Sequence, residues 1–227
     1  MKIAIMQSNY IPWKGYFDMI NIADVFVIYD TVQYTKNDWR NRNLIITKTG
    51  PQWLTIPVRV ESLQQRINEI RVANPKWNKK HWNTLIANYS KADFFNLYRD
   101  KFEQLYASTD SLLLSEINLV LIRLICEILE IKTKIVRSED FNLPGDRNQR
   151  LLELCNVLGA DTYLSGPAAR IYLEEARFEK SGIRVEWMSY DGYRVYNQDS
   201  AEFYHGVSIV DLLFNEGPKA RDYLLTT

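Results

Sequence analysis

"KIAIMQSNYIPWKGYFDMINIADVFVIYD", Lys2 to Asp30, decides the fold. Residues 2–6 and 25–29 are short apolar, β-branched runs, the pattern of strands buried on both faces. Between them, Phe17, Ile20 and Ala23 recur at helical spacing, the stripe of a short helix laid on a sheet. Strand, helix and strand in so few residues make a βαβ crossover, which is right-handed almost without exception.

Working outward, residues 53–59 ("WLTIPVR") alternate like a strand, and Pro57 sets it near an edge. Residues 79–108 carry aromatic and aliphatic side chains at helical spacing, with a break at Ser90. Residues 111–131 are apolar nearly all round, which predicts a central packed helix capped by Thr109 and Asp110. The last third returns to α/β rhythm: a strand at 134–138, a helix ended by Gly159, and a strand running into Ser165-Gly166. A helix over 167–181 ended by Gly182 and a final strand at 183–190 complete it. With no repeats or flexible linkers, the expected architecture is one α/β domain over 1–227. It is an open, mostly parallel Rossmann-like sheet with a helical insertion at 79–131.

Composition narrows the function classes. Lys plus Arg is 28 and Asp plus Glu is 28, so there is no net charge, unlike the basic excess of a duplex nucleic-acid binder. The longest apolar run is interrupted by Arg123, Glu127 and Glu130, so no membrane insertion is expected. Cys126 and Cys155 sit in apolar helical runs without metal-ligand spacing and read as core thiols. Together with the lack of a leader-like segment, they imply a reducing, cytoplasmic setting.

In open α/β sheets ligands bind outside the carboxyl ends of the strands. Gln7, Asn9, Tyr10, Trp13, Gly15 and Tyr16 leave the first strand there. The next helix's amides can face an anion, the rings can stack on a base or sugar, and Gly15 allows close approach. Asp30 ends the second strand, followed by Gln33, Tyr34, Arg40, Asn41 and Arg42; Arg40 and Arg42 can clamp a phosphate. Ser165, Gly166 and Arg170 form a third candidate, with Pro167 opening a helix. Beside these ligand-facing readings stand plainer ones, in which rings cover the sheet and charges decorate a surface hairpin.

Of the two histidines, His81 lies beside Lys79 and Lys80, whose charge would keep it neutral, as suits a general base. His205, three residues before the helix-cap candidate Ser208, is a candidate substrate-binding residue. Asp30 is the second candidate for the catalytic base. No GxGxxG, P-loop, HExxH or GxSxG pattern occurs, and no Cys/His cluster, so no metal is expected and no cofactor is specified.

"MQSNYIPWKGYFDMI", "ADVFVIYDTVQYTKNDWRNRN", "WLTIPV", "ADTYLSGPAARIYL" and "GVSIVDLLFNEGP" together resemble the WbqC-like family, from Lys2 to about Pro218. One departure is Ser8, where the family opening usually reads Gln-Pro; a serine frees the backbone and leaves the loop less rigid. The resemblance implies a bacterial protein of surface-polysaccharide loci, such as those for O-antigen (lipopolysaccharide) or capsule. It suggests a transferase placing an acyl or aminoacyl group on a nucleotide-linked amino sugar, with that sugar and the group donor as partners. The opening also resembles, in architecture, nucleotidyltransferases of the HIGH superfamily. Here Trp13-Lys14-Gly15-Tyr16 keeps the glycine of their HxGH motif and loses both histidines. An enzyme forming or using an adenylate, and a non-catalytic partner in polysaccharide assembly, therefore stay open as alternatives.

Overall fold

The computed structural model describes residues 1–109 and 111–226. Five strands, β1 (Lys2–Met6), β2 (Val25–Ile28), β7 (Lys134–Arg137), β8 (Thr162–Ser165) and β9 (Arg184–Trp187), form one sheet in the order β7-β2-β1-β8-β9. Every pairing in it is parallel. Counted along the chain, these five strands lie in the order 3-2-1-4-5, that of a Rossmann-like sheet, with the switch in direction between β1 and β8.

Alternation along each strand builds two cores. Ala4, Phe26, Ile28 and Leu164 face the core of α1 (Lys14–Ile22) and α4 (Leu114–Ile128). Ile3, Ile5, Val25, Val27 and Tyr163 face the core of α5 (Arg147–Leu158) and α6 (Glu175–Lys180). A strand covered on both faces needs apolar residues in both registers, which is why β1 and β2 read as unbroken hydrophobic runs.

Between β2 and β7 lie two antiparallel ribbons, β3 (Arg42–Thr47) with β4 (Gly50–Thr55) and β5 (Val58–Arg59) with β6 (Arg71–Val72). α2 (Trp77–Tyr89), α3 (Phe95–Ser108) and α4 then fill the expected helical stretch, and Ser90 ends α2 as anticipated. α7 (Ile209–Glu216) closes the fold, with the Ser208 hydroxyl accepting from Val210 N–H. Cys126 and Cys155 are free and buried, their thiols pushed up to about 12 by burial. No helix among the described residues is long and apolar enough to cross a membrane.

Four local expectations are corrected. The 53–59 strand is split at Ile56-Pro57 between two ribbons and is not part of the main sheet. The helix expected over 167–181 is a 3-10 turn (Pro167–Ile171) followed by α6. Asn148 of α5 holds the break open, donating to Tyr172 C=O and accepting from Glu174 N–H, each at 3.1 Å. Thr109 does not cap α4: its hydroxyl turns back to Leu105 C=O of α3 at 2.6 Å, while Asp110 lies outside the described residues. Ser8 does not loosen its loop either. Fully buried, it donates its N–H to Asp30 Oδ1 at 2.8 Å, a bond that proline cannot make.

Candidate functional site

A cleft of about 880 Å³ opens at the carboxyl ends of β1, β2 and β8, at the switch point of the sheet. Gln7 enters it from β1, Tyr29 and Thr31 from β2, and Ser165-Gly166 from β8, while Gly145–Arg150 bring in the start of α5. Its charged lining is lopsided: Arg40, Arg66, Arg147 and Arg150 stand against one carboxylate, Asp146. That carboxylate is already engaged, capping Gln149 N–H at 2.8 Å and pairing with Arg177 at 3.1 Å, which together hold it below the usual carboxylate range.

The arginines are individually placed. Arg40 is 9% exposed; it donates to Ser8 C=O at 3.4 Å and to Asn9 Oδ1, and pairs with Asp38 at 3.4 Å. Behind it, Asn118 of α4 donates to Arg40 C=O and the Ser8 hydroxyl, and Ser115 donates to Asp30 Oδ2 at 2.6 Å. Arg147 lies 4.4 Å over the Tyr172 ring, and Arg150 Nε donates to Gly145 C=O at 2.9 Å. Arg66, Arg147 and Arg150 form no ion pair among the described residues. α5 has no acid in its first turn beyond its cap, and two arginines where its dipole favours anions. Two arginines at that helix start with no ion pair of their own suit the cleft to a phosphorylated or otherwise polyanionic ligand.

Gln7, Gln33, Arg40, Ser165 and Gly166, all expected at a site, meet in this cleft. Asp30 lies beneath it, 1% exposed, its carboxyl pushed up by burial although Ser115 and Ser8 hold it by hydrogen bonds. The remaining candidates lie elsewhere. Tyr10 is fully buried, its hydroxyl between His81 Nδ1 at 2.8 Å and the Tyr106 hydroxyl at 2.7 Å. His81 is buried as well, with Nε2 3.0 Å from Thr55 C=O; burial, more than Lys80, lowers it to about 4. Tyr16 donates to Gln7 C=O from the core, and Tyr34 and Asn41 bond each other at 2.9 Å. Asn9 and Arg42 serve Arg40 and Trp53, Arg170 stacks on Trp187, and His205 packs on Phe203.

The amides that open α1 do not face the cleft. Trp13 packs edge-on against Tyr190 and Tyr193, and Lys14 is 3% exposed beneath Tyr193. The close approach at Gly15 is made by the chain itself, since a Cβ there would meet the Trp13 ring at 2.3 Å. Reasoning from sequence missed Arg66, Arg147, Arg150 and Tyr172. The signal for two of them was present in "PGDRNQR", an Asp-capped helix start loaded with arginine. Among the described residues no cluster of His, Cys, Asp and Glu could hold a metal ion.

A protein of Mycobacterium tuberculosis (strain ATCC 25618 / H37Rv), the uncharacterized protein Rv1507c, is 47% identical over 224 residues, 98% of this chain and 97% of its own. No solved structure matches the chain at a significant level. The WbqC-like protein family matches residues 7–223, which include Arg40, Arg66, Arg147 and Arg150. The chain belongs to the WbqC-like protein family.

Proposed function

We propose that the chain is a transferase that joins an acyl or aminoacyl group to the amine of a nucleotide-linked amino sugar in bacterial surface-polysaccharide assembly. The observation that carries this reading is the set of four arginines facing one engaged carboxylate at the switch point of the sheet. Arg147 and Arg150 would take one phosphoryl group of the diphosphate, and Arg40 with Arg66 the other. Gln7, Gln33 and Gln64 offer amides to sugar hydroxyls.

The transfer forms a bond from the sugar nitrogen to the donor's carbonyl carbon. The bond to the donor's leaving group breaks, and one amine proton passes to that group or to water. No His, Cys, Lys or Glu lines the cleft among the described residues. Orientation and stabilisation of the tetrahedral oxyanion by arginine and backbone N–H are therefore asked to supply the acceleration. Asp30 and His81 act on this reading as supports, the first through Ser8 and the second through Tyr10.

An adenylate-forming enzyme is the second reading, favoured by the 3-2-1-4-5 strand order. It expects phosphates at the start of α1, which Trp13, Tyr190 and Tyr193 cover. A non-catalytic partner expects no concave polar pocket. Calorimetry against UDP- and dTDP-linked amino sugars, acyl-CoAs and ATP with magnesium separates the three. A sugar nucleotide is expected to bind, and R147A/R150A to weaken it by about tenfold or more. Binding of ATP with magnesium alone selects the adenylate reading, and silence across the panel overturns the transferase.

A further inference from the structure

Of six tryptophans, two stand out in solvent: Trp39 is 40% exposed and Trp53 42%, while Trp77 and Trp82 are 3% and 6%. Their rings lie 5.2 Å apart and tilted by 46°. Trp53 comes from β4, on the outward side of the ribbon opposite Leu44. Trp39 comes from the loop before β3, and its carbonyl accepts Tyr10 N–H at 3.0 Å, which ties that loop to the one leaving β1. Arg42 lies 4.1 Å over the Trp53 ring, donates to Asn37 C=O, and keeps a buried Nε with no partner. Arg42 thus braces one ring of the pair, and the Trp39 backbone is tied to the loop leaving β1.

Its position relative to the cleft gives the pair a meaning. The next residue along the chain is Arg40, which lines the cleft, and Asp38 on the other side of Trp39 pairs with that guanidinium. Trp39 and Arg40 are neighbours in the chain, their Cα atoms about 3.8 Å apart, so the indole pair sits on the segment that carries Arg40 to the cleft, although neither indole lines the cleft itself. Indole faces hold planar bases and the C–H faces of sugars, and a guanidinium stacked alongside suits a polar ring.

We infer that Trp39 and Trp53 form a stacking subsite for the ring joined to the phosphates, base or sugar, of a ligand held in the arginine cleft. This inference rests on the reading of that cleft as a diphosphate site. A pair that merely covered the ribbon would be indifferent to such a ligand.

The test is acrylamide quenching of tryptophan fluorescence, which these two rings dominate by exposure, read with thermal shift. The probes are inorganic pyrophosphate, UDP and UDP-N-acetylglucosamine. Pyrophosphate is expected to raise the melting temperature without changing quenching. UDP-N-acetylglucosamine is expected to raise it and to shield the tryptophans, and W39A/W53A to weaken that binding by about tenfold, the loss of one stacked ring. Shielding by UDP alone assigns the subsite to the base; shielding that needs the sugar assigns it to the sugar. If UDP-N-acetylglucosamine stabilises wild type and W39A/W53A alike with quenching unchanged, the subsite is overturned and the cleft reading stands. If none of the three probes shifts the melting temperature, the cleft reading falls and the subsite falls with it.

Discussion

His81 shows how a residue with the features of a catalyst serves the interior instead. Nε2 faces a carbonyl, Thr55 C=O, so it must carry the proton; Nδ1 then accepts from Tyr10, which leaves Tyr106 to donate to Tyr10. This chain of bonds requires a neutral ring, and burial lowers the imidazole from 6.5 to about 4. The sign follows. Above 6.5 both folded and unfolded rings are neutral and the contribution is complete; as pH falls towards about 4 the unfolded ring takes a proton that the folded one refuses. Stability is lost across that window, by about 3 kcal/mol at most, and Asp30, raised by burial, works in the opposite sense at its acid end. His81→Gln is expected to lose about 1–3 kcal/mol at neutral pH, because the Tyr10 hydroxyl is left without its acceptor. The variant should also show a flatter decline between pH 6.5 and 4 in urea titrations; an unchanged slope would show that the ring is not the proton acceptor.

At the scale of elements, α5 carries both a stabilising cap and a destabilising first turn. Asp146→Ala removes the cap and the Arg177 pair, so the melting temperature is expected to fall. The same change strips the cleft of its carboxylate, and pyrophosphate is expected to bind more tightly by calorimetry; weaker binding would mean that cap geometry, not charge, governs the site. The elements with clear periodicity were legible in the sequence. β1, α1 and β2 announce themselves because a doubly covered strand and a short sheet-facing helix have distinct patterns. The break before α6 was not legible, because its cause, Asn148, sits in another element. The strand-end rule located Gln7, Gln33, Arg40, Ser165 and Gly166. It could not tell a ring facing a ligand from one facing a buried partner, so Tyr10 and Tyr16 read the same as a stacking pair. Trp39 and Trp53, quoted but not singled out, are far apart in sequence and meet through the β3–β4 ribbon.

The whole molecule carries no net charge, yet the cleft at the switch point gathers four arginines. Long-range steering is therefore weak and anion affinity is a local affair, screened as ionic strength rises from a Debye length of about 10 Å at 0.1 M to about 3 Å at 1 M. Pyrophosphate binding is expected to weaken severalfold over that range in calorimetry, and less so in R147A/R150A. Salt-independent affinity would mean that hydrogen bonds, not the guanidinium charges, hold the anion.

The central place of β1 has a consequence during synthesis. Its β2 edge is paired once residue 28 has been made, but its other edge waits for β8 at residue 162. At ribosomal speeds of about 5–20 residues per second, that edge stands open for on the order of ten seconds. A nascent chain in this interval presents an apolar strand with a free ladder, the template that other chains pair with. Yield in cells is therefore expected to depend on how that waiting strand is sheltered, as well as on the stability of the finished sheet.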